Sequence, residues 1–353
     1  MVTVVTIKTT RPPWYRIWFL ACRPHTLTAS IAPCLVGHFL SSPSSIATTL
    51  SWMSFCMFIQ LATNLHNDYA DFIRGADTHE RIGPARATQR GWCTPMETAT
   101  ASTLCLVMAL LISLPWITTT TNNHNNNHNN NSNIIMPFIV GTSCFNAVAY
   151  TGGPYPLGYI GLGNLSLAYS GWGDIMCFLY FGLVATLVVP HLQQSTTITT
   201  TTISWEQLIT ALPMGFLATT ILVVNNVRDR RTDIKARKRT LAVRLGHTFC
   251  QWEYTILVGA SYAITLLLAQ YHMCWWYLLP WATIPLAHPC LRAIWTLEGV
   301  QLNPFIGASA RLQLAFAVMQ CIGIVMNTAR DNISYHENEN YNHEEFKTIQ
   351  TQI

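Results

Sequence analysis

Two clusters of acidic and amide side chains have the spacing of a binding face. Each cluster begins with an asparagine, has an aspartate four residues later, and has a further aspartate three or four residues after that. Side chains with this spacing lie on one face of a helix. The sequence therefore predicts two carboxylate faces on two helices. They consist of Asn64, Asp68 and Asp71 in the first cluster, and of Asn225, Asp229 and Asp233 in the second.

The chemistry that suits these faces is the binding of a diphosphate. Mg²⁺ prefers one or two carboxylates together with phosphate oxygens to a cage built wholly from protein ligands. Each cluster also runs into a basic stretch, with Arg86 after the first and Lys238 and Arg239 after the second. Arg and Lys side chains bind the remaining phosphate charge. The two motifs together predict a diphosphate clamp that uses Mg²⁺.

The composition indicates where such a clamp must be held. Half of the 353 residues are hydrophobic and only 10% are charged, and the mean hydropathy is +0.26. Soluble domains carry about 25% charged residues. Twenty basic residues are too few for a nucleic-acid surface, and eleven cysteines without a CxxC pair favour neither a disulfide framework nor a zinc site. The chain is therefore predicted to be an integral, multi-pass membrane protein in contact with the lipid bilayer.

Apolar runs predict an all-α membrane protein with about nine transmembrane helices. A spanning helix needs roughly 20 mostly apolar residues. The eighth run contains three prolines, which neighbouring helices can accommodate. The nine runs are 26–40, 46–65, 96–117, 134–149, 173–191, 205–225, 252–270, 273–293 and 311–326.

The basic residues support this topology. With the loops assigned to alternate sides, eighteen of the twenty Lys and Arg residues fall on one side, as the positive-inside rule requires. The two acidic clusters lie on that side, at the ends of the second and sixth spans. The two clusters are therefore four spans apart. This separation predicts an internal duplication, with two four-helix halves and one extra helix. The two carboxylate faces would oppose each other across a pseudo-twofold axis.

The segments outside the spans have biased compositions. Residues 1–25 are predicted to be an N-terminal arm and a possible targeting remnant, and 26–328 the membrane domain. Asn- and Thr-rich loops near 118–133 and 193–203, and the polar tail at 329–353, are predicted to be disordered. Asn repeats favour a eukaryotic source and hence a plastid or mitochondrial membrane.

Three long motifs resemble the signature loops of the UbiA superfamily of intramembrane prenyltransferases. They read NDYADFIRGADTHERIGPARATQRG, YTGGPYPLGYIGLG and NNVRDRRTDIKARKRTLAVRLG. Together with RPHTLTASIAPCLVG and LNPFIGASARLQLAF they are most similar to the MenA branch, the 1,4-dihydroxy-2-naphthoate polyprenyltransferases. The resemblance covers residues 23–326. In the fourth loop the family pattern ends in Gly-Leu-Gly-Asp, whereas this chain has Asn164 there; the equivalent aspartate is then Asp174, after an insertion at 164–174.

The resemblance implies nine helices around a central cavity that opens to lipid. It also implies Mg²⁺-dependent transfer of a polyprenyl or phytyl group from its diphosphate to 1,4-dihydroxy-2-naphthoate, with loss of the carboxylate, in menaquinone or phylloquinone biosynthesis. The implied catalytic residues are Asp68, Asp71, Asp229 and Asp233, which with Asp77 bind Mg²⁺ through the diphosphate. The implied substrate-binding residues are Asn64, Asn67, Arg86, Asn225, Asn226, Arg228, Lys238, Arg239, Tyr150 and Tyr159.

Other functions remain open at this point. The acceptor could be 4-hydroxybenzoate, homogentisate, haem or menadiol, because acceptor choice does not follow from these motifs. A transporter built from repeats also places acids in broken helices, but near the midplane of the membrane. Here the acids lie at the inner ends of spans beside dense Arg and Lys, which favours a diphosphate site. The signature of a CDP-alcohol phosphatidyltransferase is absent.

Overall fold

The computed structural model describes residues 11–41, 44–77, 81–122, 132–194 and 203–352, and these residues form no β-strand. The predicted all-α class is confirmed. A π-helical turn, Leu179–Val184, joins the helices Gly173–Phe178 and Ala185–Gln194, and a 3₁₀ stretch, Trp275–Thr283, precedes the helix Ile284–Thr296. The helices are α1 (Trp14–Cys22), α2 (Thr28–Phe39), α3 (Ile46–Ile73), α4 (Pro95–Asn122), α5 (Ser132–Ala149), α6 (Leu167–Ser170), α7 (Gly173–Phe178), α8 (Ala185–Gln194), α9 (Trp205–Lys235), α10 (Leu241–Arg244), α11 (His247–Tyr271), α12 (Ile284–Thr296) and α13 (Asn303–Gln352).

Six helical segments in the described part of the chain are long and apolar enough to cross a membrane. The helices α2 and α5 are apolar but shorter, and the eighth predicted span is the 3₁₀ stretch followed by α12. Its prolines remove backbone donors, which prevents one regular α-helix. The multi-pass architecture is confirmed, whereas the count of nine spans stays a prediction. The six segments are Ile46–Ile73, Pro95–Thr118, Gly173–Gln193, Trp205–Lys235, His247–Tyr271 and Gly299–Ile333.

The chain termini contain more helix than the sequence predicts. The N-terminal arm includes α1, whose Ile17 and Ala21 are buried while Trp14 and Phe19 are exposed. The last helix, α13, continues through the predicted disordered tail to its last turn; the tail contains no proline or glycine to stop it. Most of the two low-complexity loops, residues 123–131 and 195–202, lie outside the described residues.

The two helices that carry the acidic motifs begin at capped ends and are longer than the membrane is thick. Ser204 caps α9 through a reciprocal capping box with Gln207, with both hydrogen bonds at 3.1 Å. At a rise of 1.5 Å per residue, α3 and α9 extend about 42 Å and 46 Å, against roughly 30 Å of hydrocarbon. Their C-terminal turns, which hold the acidic residues, therefore reach the polar side of the bilayer.

Polar side chains hold the helices together inside the apolar core. Gln313 and Gln320 on α13 donate to the carbonyl oxygens of Met214 and Thr210 on α9, at 3.3 Å and 2.8 Å. Trp52 on α3 donates to the carbonyl oxygen of Ala185, at 3.1 Å. Hydrogen bonds between helices have no competing water in a membrane, so they fix the positions of neighbouring helices. They hold α3, α8, α9 and α13 around one central space.

A pair of glycines brings the π-helical turn against α9. A Cβ atom on Gly182 would lie 2.2 Å from the Gly215 Cα atom, which is backbone and cannot rotate away. Small residues permit such close helix contact in membranes. The close approach sets the distance between the Gly173–Gln193 segment and α9.

Gly182→Ala is expected to destabilise the protein by about 1–3 kcal/mol, the typical cost of overpacking. Its unfolding midpoint in detergent, followed by circular dichroism, should fall. Gly259→Ala is the matched control, because a Cβ there has no heavy atom within 4 Å and Ala favours helix over Gly. Equal midpoints for the two variants would contradict the close contact.

Candidate active site

The two acidic motifs meet at one end of a cavity of about 390 Å³. The cavity extends from the C-terminal turns of α3 and α9 into the apolar interior. Asn64, Asn67, Asp68 and Asp71 line it from α3, and Asn225, Asn226 and Arg228 from α9. Arg86, Lys238 and Tyr150 line it from the intervening segments. The structure thus brings ten of the predicted site residues to a single cavity.

Arg86 is the central cation of the first motif. Its Nη1 atom lies 2.7 Å from Asp71 Oδ2 and 2.8 Å from Asp77 Oδ2, and its Nε atom lies 3.5 Å from Asp68 Oδ1. Burial lowers the pKa of Arg86, but its attraction to Asp77, Asp71 and Asp68 outweighs this and raises the pKa above the ordinary arginine value. Arg86 is therefore a permanent positive charge held among three carboxylates.

Arg23 adds a second cation from a distant part of the chain. It adopts a left-handed conformation, with φ of 52° and ψ of 61°, between α1 and the next turn. Its guanidinium forms an ion pair with Asp68 Oδ1. The other oxygen, Asp68 Oδ2, is buried and has no hydrogen-bond partner among the described residues. A non-glycine residue in this conformation costs free energy, and the ion pair with the buried Asp68 holds Arg23 in place.

Arg228 organises the second motif. Its Nη2 atom donates to Asn225 Oδ1 at 2.7 Å and to Asp229 Oδ2 at 2.5 Å, and its Nη1 atom donates to Asn303 Oδ1 at 3.2 Å. Asn303 is the first residue of α13, and its side-chain Nδ2 atom donates to the carbonyl oxygen of Ile82 at 3.0 Å. Asn303 therefore links the loop after the first motif to the arginine of the second.

A glycine in that loop makes the link possible. A Cβ atom on Gly83 would lie 2.8 Å from Arg228 Nη2, so the loop backbone packs directly against the guanidinium. In the same loop Arg81 forms an ion pair with Asp77 and interacts electrostatically with Asp229. Burial, followed by the charge of Arg86, lowers the pKa of Arg81 to about 10, so it remains charged at neutral pH. The loop joins the two motifs into one charged network.

Tyr169 and Lys238 lie beside Asp71 at the polar end of the cavity. The Tyr169 hydroxyl donates to Asp71 Oδ1 at 3.0 Å. The Lys238 ammonium lies 5.4 Å from the centre of the Tyr169 ring, a distance at which the ring face attracts a cation. Arg237, immediately before Lys238, has a φ of 54° and turns the chain at the end of α9. This turn returns Lys238 to the cavity instead of extending the helix away from it.

The carboxylates have the chemistry for Mg²⁺ only together with further oxygen ligands. Among the described residues, no three Asp, Glu, His or Cys side chains are close enough to hold a metal ion by themselves. Asp68 Oδ2 is unpartnered there, and Asp233 is buried with no ion pair in the described part of the chain. Two available carboxylates fit a metal that takes its other ligands from phosphate and water.

Five predicted residues do not line the cavity. Asp77 and Asp229 lie behind its wall, paired with Arg81 and Arg228. Asp233 is near Lys238, Asp229 and Asp71, with which it interacts electrostatically. The remaining two, Tyr159 and Arg239, face away from the site.

Tyr159 and Arg239, which the resemblance implies bind substrate, lie outside the lining of this cavity. The Tyr159 side chain is 82% exposed because it lies on a short 3₁₀ turn that projects outward. The Arg239 side chain is also exposed, and its backbone N–H donates to the carbonyl oxygen of Tyr169 at 3.1 Å. Lys238, the preceding residue, lines the cavity instead.

The sequence did not single out Arg23, Arg81, Tyr169 or Asn303 as site residues. Arg23 opens the motif RPHTLTASIAPCLVG, and Asn303 lies in LNPFIGASARLQLAF. Their presence in motifs that resemble the family was the available signal. Nothing in the local sequence indicates that they contact Asp68 and Arg228, because the partners are 45 and 75 residues away.

Similarity to known proteins agrees with this fold. Residues 30–301 match the sequence model of the UbiA prenyltransferase family. The chain is 28% identical over 323 residues to the 1,4-dihydroxy-2-naphthoate octaprenyltransferase of Escherichia coli, covering 88% of this chain and 95% of that protein. A UbiA homologue from Aeropyrum pernix has a similar fold, with a TM-score of 0.54, 13% identity, and coverage of 89% of this chain and 99% of that one. A UbiA homologue from Archaeoglobus fulgidus, determined with DMAPP and Mg²⁺ bound, has a TM-score of 0.50 at 14% identity, over 86% and 99% of the two chains.

The protein is thus an integral, multi-pass membrane enzyme that transfers prenyl groups. The chain belongs to the UbiA prenyltransferase family.

Arg86→Met is expected to destabilise the protein by about 3–5 kcal/mol, because it leaves buried carboxylates without their shared cation. The measurement is the unfolding midpoint in detergent without substrate. Arg231→Met is the control, since Arg231 pairs with Glu298 at 2.9 Å with both side chains more than half exposed, and such pairs contribute about 0–1 kcal/mol. A loss for Arg86→Met no larger than that for Arg231→Met would contradict the central role of Arg86.

Proposed function

We propose that this enzyme transfers a polyprenyl or phytyl group from its diphosphate to 1,4-dihydroxy-2-naphthoate, with loss of the carboxylate, in menaquinone or phylloquinone biosynthesis. The observation that carries the proposal is the convergence of both acidic motifs, with Arg86, Arg228 and Lys238, at the polar end of one cavity. The naphthoate acceptor is supported by the activity named for the relative in Escherichia coli.

The polarity of the cavity supports a prenyl diphosphate as donor. Its polar end lies at Asp68 and its apolar end at Trp52 and Phe55, on the same helix. Sixteen residues separate Trp52 from Asp68, which corresponds to about 24 Å along α3. A long apolar chain with a charged head fits this gradient, with its diphosphate among the cations and its tail towards the buried aromatic rings.

Mg²⁺ is the proposed cofactor. Asp68, which lines the cavity, would hold it together with diphosphate oxygens, because its Oδ2 atom has no hydrogen-bond partner among the described residues. Asp233, buried near Lys238 and Asp71 behind the lining, is the next carboxylate. When bound, the metal supplies positive charge that stabilises the leaving diphosphate. A diphosphate adds negative charge to a site that already contains several carboxylates, so a divalent cation is needed for balance.

The protein side chains would assist the bond-breaking step. The bond between the prenyl C1 atom and the diphosphate oxygen breaks, and both electrons leave with the diphosphate. Arg228 and Lys238 would stabilise this leaving charge, while the apolar wall excludes water from the allylic cation. The acceptor ring carbon that bears the carboxylate attacks C1, and loss of CO₂ returns the bonding electrons to the ring. No net proton is gained or lost by the ring in this exchange.

The test is an assay of purified protein in detergent with Mg²⁺, geranylgeranyl diphosphate and 1,4-dihydroxy-2-naphthoate, read by mass spectrometry. Parallel reactions contain 4-hydroxybenzoate, homogentisate or menadiol. We expect a decarboxylated, prenylated naphthalene product that disappears with EDTA and returns with added Mg²⁺. Product from another acceptor alone would overturn the naphthoate assignment but keep the donor site.

If no product formed with any of these acceptors, the alternative that the protein is a transporter would remain. That outcome counts only for protein whose unfolding transition shows that it is folded. Release of diphosphate from a prenyl donor distinguishes the two classes directly, since a transporter does not break the donor.

Lys238→Ala should raise the KM for the donor about 10- to 100-fold, because hydrogen bonds to charged groups contribute roughly 1.5–3 kcal/mol. The acceptor KM should change much less. Arg239→Ala is the matched control: Arg239 is the next residue, carries the same charge, and is exposed outside the cavity. Equal effects of both substitutions on the donor KM would show a diffuse charge effect and argue against a Lys238 contact.

A further inference from the structure

A second polar group, Asp174 with Asn226, adjoins the cavity. Asp174, in the first turn of α7, is only 4% exposed. Its Oδ1 atom accepts a hydrogen bond from Asn226 Nδ2 at 3.5 Å, and it forms no ion pair with any residue in the described part of the chain. Burying a carboxylate without a cation costs free energy. This cost indicates that Asp174 has a task other than stabilising the fold.

Two adjacent asparagines of α9, Asn225 and Asn226, have different hydrogen-bond partners. Asn225 Oδ1 accepts from Arg228 Nη2 at 2.7 Å, whereas Asn226 turns to Asp174. Successive residues on an α-helix point about 100° apart, and both asparagines line the cavity. Asn225 therefore belongs to the diphosphate end, and Asn226 belongs to a different wall.

Asp174 determines how the Asn226 amide is oriented. An ionised carboxylate only accepts hydrogen bonds, so the amide must present its nitrogen to Asp174. Its oxygen then remains available, and Asn226 Oδ1 accepts no hydrogen bond from the residues that the structure describes. A cavity wall with an oriented, unused carbonyl oxygen is suited to receive a hydroxyl donor.

Tyr150 supplies the complementary group on the same wall. A Cβ atom on Gly173, the residue before Asp174, would lie 3.2 Å from the Tyr150 hydroxyl oxygen. Burial, with the neighbouring Cys177 and Asp174, raises the pKa of Tyr150 well above its ordinary value. Its hydroxyl therefore keeps its proton and can donate a hydrogen bond. The wall offers one acceptor and one donor, with Met176 and Cys177 as the apolar surface between helix turns.

We propose that Asn226 and Tyr150 bind the ring hydroxyl groups of the aromatic acceptor, and that Asp174 is the positioning residue for the Asn226 amide. The assignment rests on the proposed prenyl transfer to an aromatic acceptor. A hydroxyl that donates to Asn226 Oδ1 gains electron density on its oxygen and passes it to the ring, which favours attack on the prenyl cation. The hydroxyl keeps its proton, so no base is consumed.

Asp174→Asn tests the positioning role without changing the size of the side chain. The new amide can donate as well as accept, so Asn226 is free to turn its oxygen away from the cavity. We expect the KM for the acceptor to rise about tenfold, the loss of one hydrogen bond to substrate, while the KM for the donor stays within about twofold of wild type.

Asn226→Ala and Asn225→Ala form the matched pair of adjacent residues. Asn226→Ala should raise the acceptor KM and leave the donor KM almost unchanged, and Asn225→Ala should do the reverse. If Asp174→Asn or Asn226→Ala changed both KM values equally, or neither, the assignment would be wrong. Should Asp174→Asn not fold in detergent, Asn226→Ala and Tyr150→Phe carry the same test.

Equilibrium binding separates this assignment from the proposed function. Quenching of tryptophan fluorescence by 1,4-dihydroxy-2-naphthoate, without donor, reports acceptor binding even if no product forms. Binding by wild type that is weakened in Asp174→Asn supports the subsite, whatever the reaction. Wild-type protein that binds no naphthoate overturns the subsite, whereas binding without turnover of any donor overturns only the proposed transfer.

Discussion

The site depends on the neutralisation of buried carboxylates by arginines at the surface of the membrane. Asp68, Asp71 and Asp77 surround Arg86, and Asp229 is paired with Arg228. Removing any one partner from such a network leaves a charge in a medium of low polarity, at a cost of several kcal/mol. The helix ends, the loop between them and the turn before α2 must therefore keep the positions in which these charges match.

The loop after the first motif is the element that makes two motifs into one site. It reaches α9 through Gly83, which packs against the Arg228 guanidinium, and it reaches α13 through Asn303 and the carbonyl oxygen of Ile82. The first half of the chain thereby helps to position Arg228, a cation of the second half. A site built in this way closes only when the helices of both halves are packed, so the charge network and the membrane fold stabilise each other.

Different parts of the cavity carry different kinds of side chain. Cations and carboxylates lie at the polar end, buried aromatic rings lie about 24 Å away along α3, and Asp174 with Asn226 forms a polar group on another wall. Under the proposed function, these three regions correspond to diphosphate, prenyl chain and aromatic acceptor. The two adjacent asparagines of α9 lie at the border, where the reacting carbon atoms would meet.

The sequence by itself determined the features that depend on local pattern. Apolar runs indicated the membrane class, helical spacing placed Asn64, Asp68 and Asp71 on one face, and the motifs indicated the family. Only the tertiary structure decided which side chains pair within the site. Arg23 reaches Asp68, and Asn303 reaches Arg228, through the packing of helices that are distant in the sequence. It also turned Tyr159 and Arg239 outward. A side chain's direction in a loop depends on long-range contacts, which periodicity and composition do not encode.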